Sequence, residues 1–171
     1  MNKQVILVTG ASSGIGKATA FELLKQGHTV YSAARRVEKM ADLEQAGGHA
    51  IAMDVTDAEQ VRAAVDRIIS QQGRIDVLVN NAGYAIYGAV EDTSIEDARR
   101  QFDVNLFGLA TITKAVLPHM RKVKNGKIIN ISSMGGKMYT PLGAWYHSTK
   151  HALEGWSDCL RLELKPFGID V

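Results

Sequence analysis

Residues 5–16 read VILVTGASSGIG, from Val5 to Gly16. The opening of this stretch belongs to a run from Gln4 to Thr9 that is apolar and β-branched without polar alternation, the pattern of a strand covered on both faces. A helical pattern begins at about Ile15 and reaches Gln26, where Gly27 supplies a stop. Between the two, Gly10, Gly14 and Gly16 let the backbone turn tightly and come close to a neighbour. A helix start presents free N–H groups, so a strand, loop and helix in this order form a cradle for a phosphate or pyrophosphate, with the Ser12 and Ser13 hydroxyls as further donors. The spacing is Gly-x-x-x-Gly-x-Gly, which differs from the common dinucleotide pattern Gly-x-Gly-x-x-Gly.

The chain beyond this unit repeats the alternation. Strand-like runs fall at Thr29 to Ala34, Ala50 to Asp54, Asp76 to Val79 and Lys127 to Ile131. Helical patterns fall between them: Val37 to Gln45, closed by Gly47 and Gly48, then a helix capped by Thr56, with Val61, Ala64, Val65, Ile68 and Ile69 on one face, that stops near Gly73. A long helix opens at Ser94 or Ile95 and reaches about Arg121, with Pro118 expected to end or kink it. The last helix runs from about Trp145 to Lys165, stopped by Pro166 and Gly168. Strand and helix in strict alternation predict an α/β fold: a doubly wound parallel sheet with helices on both faces and ligands at the carboxyl ends of the strands. Residues 1–171 carry no repeat, linker or low-complexity segment and are expected to form one domain. Gly168 to Val171 read as the first step into a sixth strand, so the domain is expected to be incomplete at its C-terminal end, with a sheet edge exposed.

Composition excludes several classes of function. The 171 residues are 46% apolar and 22% charged, with a net charge of +2. The basic residues are dispersed, so neither a nucleic-acid footprint nor a membrane-surface helix is expected. The N-terminal apolar run is far too short for a signal sequence or a membrane span. One cysteine, Cys159, allows no internal disulfide; it is expected to be a buried thiol, and its isolation fits a reducing, cytoplasmic setting.

A second stretch carries chemistry. Gly143 to Lys150 reads GAWYHSTK, and on a helix the four-residue spacing puts Tyr146 and Lys150 on one face. An ammonium beside a phenol favours its ionised form, which makes an acid/base pair. His147 and His151 share the same spacing, but no carboxylate ligand accompanies them, so no metal site is expected and both are read as ordinary helix residues.

TGASSGIG, the string NNAG at Asn80 to Gly83, and Tyr146-x-x-x-Lys150 together resemble the short-chain dehydrogenase/reductase family, over essentially the whole chain. The resemblance implies a Rossmann-like three-layer sandwich that binds NAD or NADP and passes a hydride between the nicotinamide and a small-molecule carbonyl or secondary alcohol. It implies cofactor contacts from Gly10, Ser12, Ser13, Gly14, Ile15 and Gly16, and from Asn81, Ala82 and Gly83. The acidic residue that holds the adenosine ribose in NAD-preferring members falls here at Ala34, followed by Arg35 and Arg36. A guanidinium pairs with a 2′-phosphate where a carboxylate would repel it, so NADP is expected, with NAD second. Asp54 and Val55 correspond to the residues beside the adenine, although Asp54 also reads as a helix-start carboxylate.

The same resemblance assigns Tyr146 as general acid/base, Lys150 as its partner and holder of the nicotinamide ribose, and Ser133, thirteen positions before Tyr146, as the group that orients the substrate oxygen, with Ser132 as its alternative. Asn105, in FDVNLFG, would support a water next to Lys150; its other reading is a satisfied core amide. Met134, Met138, Tyr139 and Trp145 are expected along an apolar substrate pocket. Family members commonly pair through their two long helices, so a homo-oligomer is expected of a full-length protein. The competing reading is a non-catalytic NAD(P)-binding sensor or regulatory module of the same fold.

Overall fold

A computed structural model describes residues 2–171. Six strands, β1 (Val5–Thr9), β2 (Thr29–Ala34), β3 (His49–Ala52), β4 (Val77–Asn80), β5 (Gly126–Asn130) and β6 (Ile169–Asp170), form one sheet in the order β3-β2-β1-β4-β5-β6. Every pairing is parallel. Parallel neighbours need a crossover, and the helices α1 (Gly14–Lys25), α2 (Ala41–Gln45), α3 (Ala58–Gln72), α4 (Ile95–Phe102), α5 (Leu109–Val123) and α6 (Ala144–Leu164) supply it. The strand order reverses between β1 and β4, so the loops that leave those strands diverge and open a crevice at the carboxyl edge.

Alternation along the strands explains the three layers. Val5 and Leu7 point into a core with Val61, Val65 and Ile68 of α3, Ile112 and Val116 of α5, and Leu160 and Leu164 of α6. Their neighbours Ile6 and Val8 point the other way, against Ala20 of α1 and Met40 and Leu43 at α2. A strand apolar at every position therefore has a helix layer on each side, and each fully buried Leu or Ile contributes about 1.5–3 kcal/mol.

Several local expectations change. The cap of α3 is Asp57, whose carboxylate accepts from the amides of Glu59 and Gln60, while Thr56 donates to Asp54 instead. Those amide bonds, led by the one from Gln60, hold the Asp57 carboxyl below the ordinary carboxylate range. The segment before α2 begins as a 3₁₀ turn, Val37–Met40. The long helix expected from residue 95 is broken by a π-helical segment, Asp103–Gly108, and resumes as α5. Gly108 makes this possible, since a Cβ there would sit 2.8 Å from Val55 Cγ2. Pro118 neither ends nor delimits α5, which continues to Val123. Its ring lies on the exposed side, where water can take the hydrogen bond that proline cannot donate. Cys159 is exposed on α6, not buried.

Candidate active site

The crevice is built on Thr9, a residue that motif reading passes over. Its hydroxyl, 1% exposed at the end of β1, accepts from the amides of Asn81 and Ala82 at 3.0 Å each. The Asn81 side chain returns the contact, donating to the carbonyls of Thr9 at 3.0 Å and Gly10 at 3.3 Å. The NNAG segment is thus laced to the glycine loop, and a Cβ on Gly10 would lie 2.8 Å from Ala82 Cα. Replacing Thr9 with the isosteric valine strands two backbone donors, so an unfolding titration is expected to show a loss of about 2 kcal/mol. A loss of under about 0.5 kcal/mol would mean the lacing contributes nothing.

Gly14 adopts φ 56°, and a Cβ built there meets nothing within 4 Å, so the loop opens outward. Ser13 caps α1 without a side-chain bond of its own, and the first turn of α1 carries no acidic residue. The amides around Gly14, Ile15 and Gly16 and the Ser13 hydroxyl are therefore free to meet an anion. One cleft joins Gly10, Ser12 and Ser13 to Arg35 and Arg36 at the end of β2, to Asp54 and Val55 beyond β3, and to Ala82 and Gly83 beyond β4. Both arginines are exposed at its rim. Asp54 accepts from the Thr56 amide at 2.9 Å and hydroxyl at 2.7 Å, so it braces the turn into α3 while Asp57 does the capping.

The second half of the site lies on α6 and the loop after β5. Lys150 is only 7% exposed, and its Nζ donates to the Ile131 carbonyl at 2.8 Å. That Nζ lies 6.0 Å from the centre of the Tyr146 ring, so the helical spacing does bring ammonium and phenol together. Burial pushes the Lys150 ammonium below the ordinary lysine range, opposed by the charge of Glu154 one turn along α6. Tyr146 is partly exposed, with the Tyr87 ring 5.8 Å away.

Ser133 leaves β5 in extended conformation and its Oγ accepts from the Gly135 amide at 3.0 Å. The hydroxyl proton is then left to donate elsewhere. Ser132 points to the other side, into a groove shared with Glu154 and Ser157. Asn105 sits in the π-helical segment, 1% exposed. Its amide donates to the Tyr84 carbonyl at 2.8 Å and to Thr149 Oγ1 at 3.1 Å, and accepts from the Tyr84 amide at 3.0 Å. Both amide protons are spent within the chain, tying the loop after Gly83 to α6.

One expectation fails here. Trp145 does not share the Tyr146 face; it lines a separate cavity with Ile95, Phe102 and Phe107. Tyr139 is exposed and stacks on His151, in a cavity with Leu142 and Val90 that includes neither Tyr146 nor Ser133. His147, on α6 as expected, is 6% exposed with both ring nitrogens bonded to the loop after Ser133.

Among the described residues no cluster of His, Cys, Asp or Glu is placed to hold a metal ion, and no helix is long and apolar enough to cross a membrane. Comparison with known proteins adds the lineage. Over 172 aligned residues the chain is 49% identical to a 3-ketodihydrosphingosine reductase of Bacteroides thetaiotaomicron, covering 100% of this chain and 62% of that protein. It therefore spans about three fifths of that relative's length. The structure of ElxO with NADP bound superposes with a TM-score of 0.94 at 35% identity, covering 99% of this chain and 71% of the other. An NAD+-bound xylitol dehydrogenase superposes with a TM-score of 0.94 at 33% identity, covering 99% and 68%. The family model described as short chain dehydrogenase matches residues 4–171, and with that match and the parallel six-stranded sheet, the chain belongs to the short-chain dehydrogenase/reductase family.

Proposed function

We propose that this chain carries the nucleotide site and the acid/base residues of an oxidoreductase that exchanges a hydride between NADP(H) and a carbonyl or secondary alcohol. The observation that carries the reading is Lys150: a buried, desolvated ammonium beside a partly exposed phenol. Burying a lysine costs stability; holding a ribose accounts for Lys150 alone, whereas an accessible phenol beside it adds a proton donor that a module only binding nucleotide does not use.

The residues present fit a nicotinamide dinucleotide. The open glycine turn, the uncapped amides of α1 and the two rim arginines suit a pyrophosphate and a second phosphate. When bound, the nicotinamide supplies or accepts the hydride. In the reductive direction Tyr146 donates its phenolic proton to the substrate oxygen, and takes it back in oxidation. Ser133, its acceptor side occupied by Gly135, directs its own proton to the same oxygen. Lys150 has three donors; one is spent on Ile131, which fixes the side chain and leaves two for the phenol and a ribose hydroxyl.

The preference for NADP rests on Arg35 and Arg36, which follow Ala34 where a ribose-binding carboxylate would stand, and similar folds carry either cofactor. Arg35→Asp replaces a charge-assisted contact by repulsion, a change of about 3 kcal/mol, so the ratio of kcat/KM for NADPH over NADH should fall roughly a hundredfold. An unchanged ratio would remove Arg35 from the phosphate site. The whole reading is tested by following NADPH absorbance against a panel of ketones and aldehydes; no consumption with any of them, in protein shown to bind NADPH, would defeat it.

A further inference from the structure

His147 is the buried titratable side chain that the proposed mechanism leaves unused. Its Nδ1 lies 2.9 Å from the Gly135 carbonyl oxygen, and its Nε2 lies 2.8 Å from Thr140 Oγ1. A carbonyl oxygen only accepts, so Nδ1 carries a proton and donates it. Two glycines make room for the ring. A Cβ on Gly135 would lie 2.7 Å from Nδ1, and one on Gly143 would collide with the far edge of the imidazole.

Gly135 is held from both sides. Its amide donates to Ser133 Oγ at 3.0 Å while its carbonyl accepts from His147. A line of two hydrogen bonds thus runs from the residue that follows Tyr146 to the Ser133 hydroxyl, across the loop that separates them in sequence. The bond to Thr140 pins the far end of the same loop, closing residues 133–147 into a braced ring. Surface coverage alone would not use both nitrogens at 6% exposure.

The geometry points to His147 as a positioning residue: through Gly135 and Thr140 it sets where the Ser133 hydroxyl stands relative to Tyr146. The inference rests on the roles given above to Ser133 and Tyr146. A hydroxyl displaced by about 1 Å costs on the order of a hundredfold in rate, so small loosening of this loop is expressed in kcat rather than in cofactor affinity.

The test compares His147→Ala, His147→Asn, Ser133→Ala and the double variant His147→Ala/Ser133→Ala. Asparagine places an N–H where Nδ1 lies, so it retains the bond to Gly135. His147→Ala should lower kcat by about tenfold or more with the NADPH dissociation constant within about twofold, and His147→Asn should recover most of the loss. In the Ser133→Ala background the further loss should be under about twofold, since the residue acts through Ser133. A kcat within about twofold of wild type, or losses that multiply in the double variant, overturns the assignment. If the wild-type protein binds NADPH but reduces no ketone, the proposed function fails and amide exchange decides the positioning claim by itself. Exchange at the Gly135 amide should then be at least about tenfold faster in His147→Ala and recover in His147→Asn, and unchanged exchange overturns it.

Discussion

Replacing Tyr146 by phenylalanine is expected to lower kcat by roughly 10²–10⁴-fold, the span that a positioned general acid contributes, while the NADPH dissociation constant stays within about twofold. The two halves of that expectation have separate causes. The substitution removes only a hydroxyl; the ring keeps its place against Tyr87, and Lys150 keeps its bond to Ile131, so the surface offered to a cofactor is unchanged. The proton, in the proposed mechanism, comes from that hydroxyl, and Ser133 has only an alcohol's acidity. Fluorescence titration with NADPH and steady-state rates on one preparation separate the two quantities. A variant that turns over within about tenfold of wild type would show that the acid is elsewhere.

What could be read from the chain and what could not divide along a physical line. Strand β1 was legible because VILVT is apolar at every position, which only a two-sided core explains, and Leu7 and Val8 indeed enter different cores. The placing of Tyr146 and Lys150 side by side was legible because helical spacing is a local rule. Trp145, one position away, turned out to face Phe102 and Phe107; assigning it to a pocket needs the rotation of α6 against α4, which no local pattern carries.

The cap of α3 went to Asp57 rather than Thr56 because both are good caps in sequence and the choice depends on which bonds Gln60 and Asp54 make. The π-helical segment had no periodic signature at all: it exists because Gly108 lets the backbone approach Val55 and because Asn105 must reach Tyr84 and Thr149 at once. His147 was hidden for the same reason. Its burial is made by the empty space at Gly135 and Gly143, twelve and four residues before it in the chain, and by a loop whose path could not be traced beforehand. The misplaced residues are those whose setting depends on distant groups, and they surround the site more than the core.

Lys150→Met should remove most turnover, by about 10²–10³-fold, because methionine fills the space of the stem but can neither anchor to Ile131 nor hold a donor beside Tyr146. The same variant reads the electrostatics of the site through stability. Burial is the larger influence on Lys150 and lowers its affinity for a proton in the folded state, with the charge of Glu154 opposing it, while the unfolded chain titrates near the ordinary 10.5. Below the folded pKa both states hold the proton, and the fold carries the full cost of a buried charge. Between the folded pKa and 10.5 the unfolded state binds more protons, so the stability of the wild-type protein rises with pH across that window and levels off above it. Lysine thus contributes an advantage present above its unfolded pKa and lost as pH falls through its folded pKa. Methionine has no such dependence. The difference in unfolding free energy, wild type minus Lys150→Met, should therefore climb with pH through the alkaline window when both are measured by denaturant titration in matched buffers. A difference that declines instead would mean that Glu154 and the phenol stabilise the ammonium more than burial penalises it, and the description of Lys150 as a desolvated partner would have to be given up.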